Sequence, residues 1–249
     1  MNEDAGAAVL LKQVHCVFDD RDVLANVSLE VAPGESVCLI GRSGMGKSVT
    51  LKLIVGLLKP ASGEIRINGE SIIGLSEDGL SRVRRHIGFL FQGSALFDSM
   101  SLYENLAVPL KRLRETTPDD EIEAIVHKNL ADVGLGREGR KMPAELSGGM
   151  IKRAGLARAL MLQPCVLLAD EPVSGLDRVT ASEIDDLLLR VRETARPAMV
   201  IVTHDTREAR RVGDRVAVLD NGGLIAVGRI EELSNSGSAL VRELVSEAD

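Results

Sequence analysis

The stretch Val37 to Leu57, VCLIGRSGMGKSVTLKLIVGL, constrains the fold more than any other: an apolar, strand-like run empties into a glycine-rich turn and then into apolar residues at helical spacing. Glycines there clear away side chains, so successive backbone N–H groups can face one concave point. The helix that follows adds unpaired donors and the positive end of its dipole. Such a turn binds phosphate. Gly41, four residues, Gly46, Lys47 and Ser48 complete the P-loop spacing. In that pattern Lys47 reaches the β- and γ-phosphates, the Ser48 hydroxyl ligates Mg²⁺, and donors from Gly44 to Ser48 hold the remaining oxygens. The candidate nucleotide-contacting residues are therefore Gly41, Arg42, Ser43, Gly44, Met45, Gly46, Lys47, Ser48 and Val49. The competing reading, a glycine-rich turn with a chance Lys-Ser pair, loses to the strand before it and the helix after it.

Composition narrows the class. With 249 residues, 45% of them hydrophobic, the chain can bury a large core. A net charge of −7 and only 2% aromatics supply neither a general basic surface nor stacking rings, so nucleic acid is not an expected partner. Local basic runs such as RVRRH read as solvated helix faces. Cys16, Cys38 and Cys165 are too far apart for a CxxC motif, and Cys38 and Cys165 lie in apolar runs, which predicts buried, reduced thiols. The start, MNEDAGAAVLLK, is acidic where a signal peptide would be basic, and no apolar stretch is long enough to span a bilayer. A cytosolic protein is expected, held at a membrane only by something else.

Along the chain, the first ninety residues read as β-rich with one helix. VSLEVAPGESVCLI gives two short strands around a Pro-Gly turn, GEIRINGESI is a hairpin turning at Asn68-Gly69, and HIGFLFQ is a further strand. From about residue 93 to 162 helices take over, in SLYENLAVPLKRL, PDDEIEAIVHKNLADVGL and MIKRAGLARALML. Strands then return in CVLLAD, AMVIVTH and the hairpin RVAVLDNGGLIAVG, with RVTASEIDDLLLRVRETA a helix between. Alternating strands and helices predict an α/β fold with a largely parallel sheet and the middle third inserted as a helical sub-domain.

The strand CVLLAD ends on Asp170 and Glu171. A buried strand delivers both carboxylates to the sheet edge beside the P-loop. There Asp170 can hold Mg²⁺ through water, and Glu171 can polarise an attacking water as general base. In ELSGGMIKRAGLARAL, Ser147, Gly148 and Gly149 offer a hydroxyl and bare amides at a helix start, a second anion-binding nest; a capped helix with two flexible residues is the plainer alternative. His204 follows AMVIVT at a strand end, where an imidazole can meet a phosphate, although a lone histidine is more often structural.

Together these residues resemble the ATP-binding-cassette (ABC) ATPases over nearly the whole chain. GRSGMGKS matches the Walker A motif, Gln92 the Q-loop, LSGGM the signature, LLADEP Walker B, SGLD the D-loop and His204 the switch histidine, all in the family's order. The resemblance implies a P-loop NTPase with a RecA-like core and an N-terminal antiparallel β part (1–92 and 163–249), and a helical sub-domain with the signature (93–162). It also implies ATP and Mg²⁺ as ligands, and a head-to-tail homodimer sandwiching two ATP molecules between the P-loop of one subunit and the signature of the other. By the same resemblance Phe18 stacks on adenine, Gln92 contacts Mg²⁺ and the attacking water, Asp177 communicates across the dimer, and His204 bonds the γ-phosphate. A core position is the alternative for Phe18. Met150 stands where the signature commonly has glutamine, and Arg178 where proline is frequent; neither touches the phosphate-binding backbone or the general base.

LFQGSALFDSMSLYENLAVPL and KMPAELSGGMIKRAGLARAL are similar to the ATPase of the maintenance-of-lipid-asymmetry (Mla) transporters, also described as organic-solvent or toluene resistance systems. That similarity implies phospholipid transport between the inner and outer bacterial membranes. It further implies work at the cytoplasmic side of the inner membrane beneath integral-membrane permease subunits, a lipid-binding MCE protein on the periplasmic side, and a STAS-domain protein on the ATPase. Members of that family often extend past the last helix; the sequence ends at ALVRELVSEAD, so a contact from such a tail is not expected. The other readings are the ATPase of an importer for a small polar solute such as an amino acid, a non-transport ABC protein of translation or DNA repair, and a nucleotide sensor without hydrolysis. Tandem cassettes or a coiled-coil insertion would mark the third, and Glu171 argues against the fourth. Four of the five aromatic residues, Phe89, Phe91, Phe97 and Tyr103, fall around the Q-loop and suit either a groove for a partner helix or the core of the helical part.

Overall fold

A computed structural model describes residues 6–18, 21–113 and 117–246. The acidic start at 1–5 and the chain end at 247–249 lie outside the described residues. Strands β1 (Val9–Phe18) and β2 (Arg21–Val31) pair antiparallel in a long hairpin. Strand β3 (Ser36–Ile40) leaves that sheet after the turn at Pro33-Gly34 and pairs in a second one. The two strands around Pro-Gly therefore exist, but they belong to different sheets. Helix α1 (Lys47–Ile54) follows β3, and β4 (Ser62–Ile67) and β5 (Glu70–Ser71) return to the first sheet, whose order is β2-β1-β4-β5. Asn68 and Gly69 between β4 and β5 both take positive φ, 49° and 79°, as a tight primed turn requires.

A second helix, α2 (Glu77–Arg84), sits where a single helix had been expected in the first ninety residues. Its charge-rich sequence hides a short apolar stripe of Leu80 and Val83. The legible signals are the Ser76 cap, which accepts from Gly79 N, with acids in the first turn and arginines in the last. Strand β6 (Ile87–Leu90) then leads to α3 (Leu102–Leu113), α4 (Asp119–Asp132) and α5 (Gly148–Leu160), which pack on one another. Strands β7 (Val166–Asp170) and β8 (Ala198–Val202) flank α6 (Arg178–Thr194), and α7 (Thr206–Val212) precedes the antiparallel pair β9 (Arg215–Asp220) and β10 (Gly223–Gly228). Two short helices, α8 (Ile230–Ser234) and α9 (Ala239–Val245), complete the described chain.

The second sheet runs β10-β9-β3-β8-β7-β6, parallel from β9 to β6. Strands β3, β7 and β8 are buried at every residue, as strands covered on both faces must be. Alternation across β3 divides the core in two: Val37 and Leu39 face the cluster with α1 and the four-stranded sheet, while Cys38 and Ile40 face the helices α3 to α7. The predicted α/β fold, largely parallel sheet and antiparallel β part are all present.

Cys38 is buried as expected, but Cys165 is exposed. It stands one residue before β7 rather than inside it, at the N-terminal edge of the sheet, where its Sγ accepts from Asn68 Nδ2 at 2.9 Å.

Candidate nucleotide site

Four neighbouring parallel strands, β3, β8, β7 and β6, end on the same side of the sheet, and the chain just past each end carries a candidate residue. β3 runs into the P-loop, β8 into Thr203 and His204, β7 into Glu171, and β6 into Gln92. Ligands of open α/β sheets bind at this carboxyl edge.

The P-loop glycines meet specific demands. Gly41 has φ 153°, and a Cβ there would collide with Leu219 O. Gly46 has φ 94°, and a Cβ would lie 2.8 Å from Val23 O and 2.7 Å from Leu24 Cδ2, so β2 shoulders the loop. Gly46 also caps α1 without any side-chain hydrogen bond, which leaves the first-turn amides free for a ligand. The buried Lys47 donates to Gly41 O at 2.7 Å and Arg42 O at 3.0 Å, curled over the loop it would share with phosphate. Burial draws its ammonium below the usual lysine range, while Glu171 and Asp170 pull the other way.

Ser48 Oγ donates to Asp170 Oδ1 at 2.9 Å. Burial raises the Asp170 carboxyl above its ordinary range, and the Ser48 bond opposes that. One hydroxyl and one carboxylate side by side suit Mg²⁺, a hard cation that takes few protein oxygens and completes its shell with water and phosphate. Gln92 Nε2 donates to Glu171 Oε2 at 3.0 Å, and His204 Nδ1 lies 3.5 Å from Glu171 Oε1. Glu171 thus stands between the Q-loop glutamine and the histidine. Its backbone is left-handed, φ 47°, which costs a side-chain-bearing residue about 1 kcal/mol. Tight anchoring holds it: Glu171 N donates to Val202 O at 2.8 Å, and its carbonyl accepts from Ser174 Oγ at 3.0 Å and Lys152 Nζ at 2.9 Å.

The remaining candidates stand apart from this group. Phe18, at the end of the β1–β2 hairpin, is 44% exposed, so its ring is not part of the core. Ser147 caps α5, its Oγ accepting from Met150 N at 3.3 Å, and Gly148 beside it is exposed. A Cβ on Gly149 would collide with Thr180 Cγ2, which places the signature turn against the start of α6. Asp177 caps α6, accepting from Val179 N, Thr180 N and Thr180 Oγ1. Among the described residues no hydrogen bond joins Ser147–Gly149 to the P-loop. The aromatic residues near Gln92 do not form one group: Phe89 and Phe91 stack at 3.9 Å, Phe97 lies under Arg158 at 5.8 Å, and Tyr103 tilts on His127.

Two residues of α5 were not singled out from the sequence. Lys152, almost fully buried, donates to Gln92 O at 2.6 Å as well as to Glu171 O, and Arg158 donates to Ala95 O at 2.7 Å and Ser94 O at 3.2 Å. The available hint was Lys152 and Arg158 set among the small and apolar residues of MIKRAGLARAL.

The family model described as ABC transporter matches residues 24–174, which span the P-loop, Gln92, the signature turn and Glu171. The chain belongs to the ABC transporter ATP-binding family. The cassette is 41% identical over 241 residues to the Mycobacterium leprae protein named "Probable ribonucleotide transport ATP-binding protein mkl", covering 97% of this chain and 69% of that one. It is 42% identical over 229 residues to the Mycobacterium tuberculosis protein of the same name, covering 92% and 64%. The Ralstonia nicotianae methionine import ATP-binding protein MetN is 39% identical over 233 residues, with 92% and 66% covered. The cassette thus spans about two thirds of the length of these relatives. Among solved structures, the dimeric ATP-binding cassette MJ0796 in a post-hydrolysis state with ADP and Pi superposes with a TM-score of 0.82 at 34% identity, covering 89% of this chain and 98% of that one. The cbiO1 protein of Clostridium perfringens, part of the transporter complex cbiONQ, gives 0.82 at 27% identity, covering 96% and 99%. The cassette is an ATPase, and its ligands are ATP and Mg²⁺.

Proposed function

We propose that two copies of the cassette form the motor of an Mla-type ABC transporter and power phospholipid movement between bacterial membranes. The observation that carries the motor reading is the meeting of Glu171 with Gln92 at 3.0 Å and His204 at 3.5 Å, beside Ser48–Asp170 and Lys47. Lys47 and the free amides of α1 hold the β- and γ-phosphates. Ser48, Asp170 and Gln92 would hold Mg²⁺, which would supply charge neutralisation to the nucleotide phosphates. Glu171 polarises a water whose oxygen attacks the γ-phosphorus while the ADP oxygen leaves; Gln92 orients that water, and His204 bonds the γ-phosphate. The exposed Phe18 receives adenine, and the exposed Ser147–Gly148 edge faces the γ-phosphate on the other subunit, with Asp177 at the seam. Loss of the γ-phosphate removes the shared charge and parts the subunits.

The lipid reading rests on the stretch from Gly93 to Leu110 and on Met150, which are similar to the Mla ATPases. In this reading permease subunits hold the cassette at the cytoplasmic face of the inner membrane; among the described residues no helix is long and apolar enough to cross a membrane. An MCE protein and a STAS-domain protein complete the proposed assembly. The 39% identity to a methionine importer subunit keeps an amino-acid importer as the second reading. Purification of the tagged cassette from its native membrane decides between them. A co-purifying permease with an MCE partner and phospholipid supports the first reading, and a solute-binding protein for an amino acid replaces it with the second.

A further inference from the structure

The helix that begins with the signature turn also grips the hydrolytic residues of its own subunit. Five residues after the Ser147 cap, Lys152 extends a buried ammonium to two carbonyls from different strand ends, Gln92 O at 2.6 Å and Glu171 O at 2.9 Å. Those residues also meet through their side chains, Gln92 Nε2 to Glu171 Oε2 at 3.0 Å. One cation therefore ties the backbones of a pair whose side chains face each other. A buried ammonium donating to two carbonyls is a strong, directional restraint. Both partners need restraint: Glu171 sits at φ 47°, and the chain leaving Gln92 passes through Ser94 at φ 59° and Ala95 at φ 48°. Such conformations persist only where surrounding contacts over-determine them. Arg158, on the same helix, donates to the carbonyls of Ser94 and Ala95.

We infer that Lys152 is a positioning residue for hydrolysis: it fixes Gln92 against Glu171 and makes their separation follow the signature helix. The inference rests on the proposed roles of Glu171 and Gln92. Lys152 touches neither the P-loop nor the Ser48–Asp170 pair by hydrogen bond, so its effect falls on turnover rather than on nucleotide binding.

The test uses the purified full-length cassette. Lys152→Met lowers kcat at least tenfold while the KM for ATP stays within threefold. Its Mg-ATP affinity, measured by equilibrium dialysis in a Glu171→Gln background, also stays within threefold. Lys152→Arg, which keeps a cation with several donors, recovers at least a third of the wild-type kcat. If Lys152→Met does not fold, Lys152→Gln, with a single shorter donor group, takes its place with the same expected split. Wild-type kcat in the Met or Gln variant overturns the inference. So does a loss of ATP affinity in step with kcat, or an Arg variant no better than Met. Normal turnover by Glu171→Gln would remove the general base itself and the inference with it. A disabled Glu171→Gln beside a fully active Lys152→Met overturns the positioning role alone.

Discussion

The P-loop and the signature turn both open a helix on glycine, and they are built differently. At the P-loop, Gly41 and Gly46 are pressed against Leu219 and β2, and the buried Lys47 closes over the loop from within. At the signature turn, Ser147 and Gly148 are exposed, and only Gly149 is pressed against a neighbour, Thr180. The first is a loop shaped by its own chain, and it is the proposed phosphate cradle. The second is an exposed edge, preformed by its helix cap. On the proposed function, a cradle with its own lysine holds nucleotide alone, and the open edge contributes only once a second subunit is brought to it.

Substitutions at the two places sharpen the contrast. Lys47→Ala removes the positive charge facing the β- and γ-phosphates, and both Mg-ATP binding and hydrolysis fall by roughly 100-fold or more; unchanged affinity in a titration with ATP would break the cradle reading. Glu171→Gln spares the cradle and removes the proposed base. Turnover falls on the order of 10²–10⁴-fold with ATP affinity kept, and the ATP-bound dimer accumulates in size-exclusion chromatography.

Gly46→Ala and Gly149→Ala compare the two helix starts directly. The first forces a Cβ onto a left-handed position against the Val23 carbonyl. It costs about 1–3 kcal/mol and weakens nucleotide binding by the isolated cassette. The second displaces Thr180 at about 1–2 kcal/mol, leaving affinity in the monomer intact while suppressing turnover. Equal losses of monomer affinity would erase the distinction.

The smallest effect lies behind the site. Glu208 is buried, and burial, reinforced by Asp185 and Asp205 and opposed by the Thr203 hydroxyl and Lys152, pushes its carboxyl up to about 8. Burial likewise lifts Asp185 to about 6. The folded chain keeps the Glu208 proton well above the pH at which the unfolded chain, near 4.5, releases it. Stability from this group is therefore full at low pH and declines as pH rises from there toward 8. Glu208→Gln flattens that decline and raises the melting temperature at pH 8 by several degrees, on the order of 5 °C; a melting curve no less sensitive to pH in the variant contradicts it.

How far the sequence could be read depended on how local the physics was. The P-loop was legible because a strand, three glycines and a helix start are neighbours in the chain, and the Asp170–Glu171 pair because a buried strand end can deliver it only to one edge. Helix α2 was harder, since a charged eight-residue helix with Gly79 inside it carries little periodicity. Cys165 misled because an apolar run does not say where its strand begins. Phe18 left both a core and a ligand reading open until its exposure removed the first.

The order of motifs along the chain determined the family, the nucleotide and the residues offered to it, because phosphate recognition is encoded in short backbone patterns. Tertiary structure alone decided which of those residues meet. The Gln92–Glu171 contact joins positions 79 apart, and Lys152 bridges partners 60 and 19 residues away. Such contacts depend on the order of strands in the sheet and on how α5 packs against it, and neither leaves a periodic trace in the sequence.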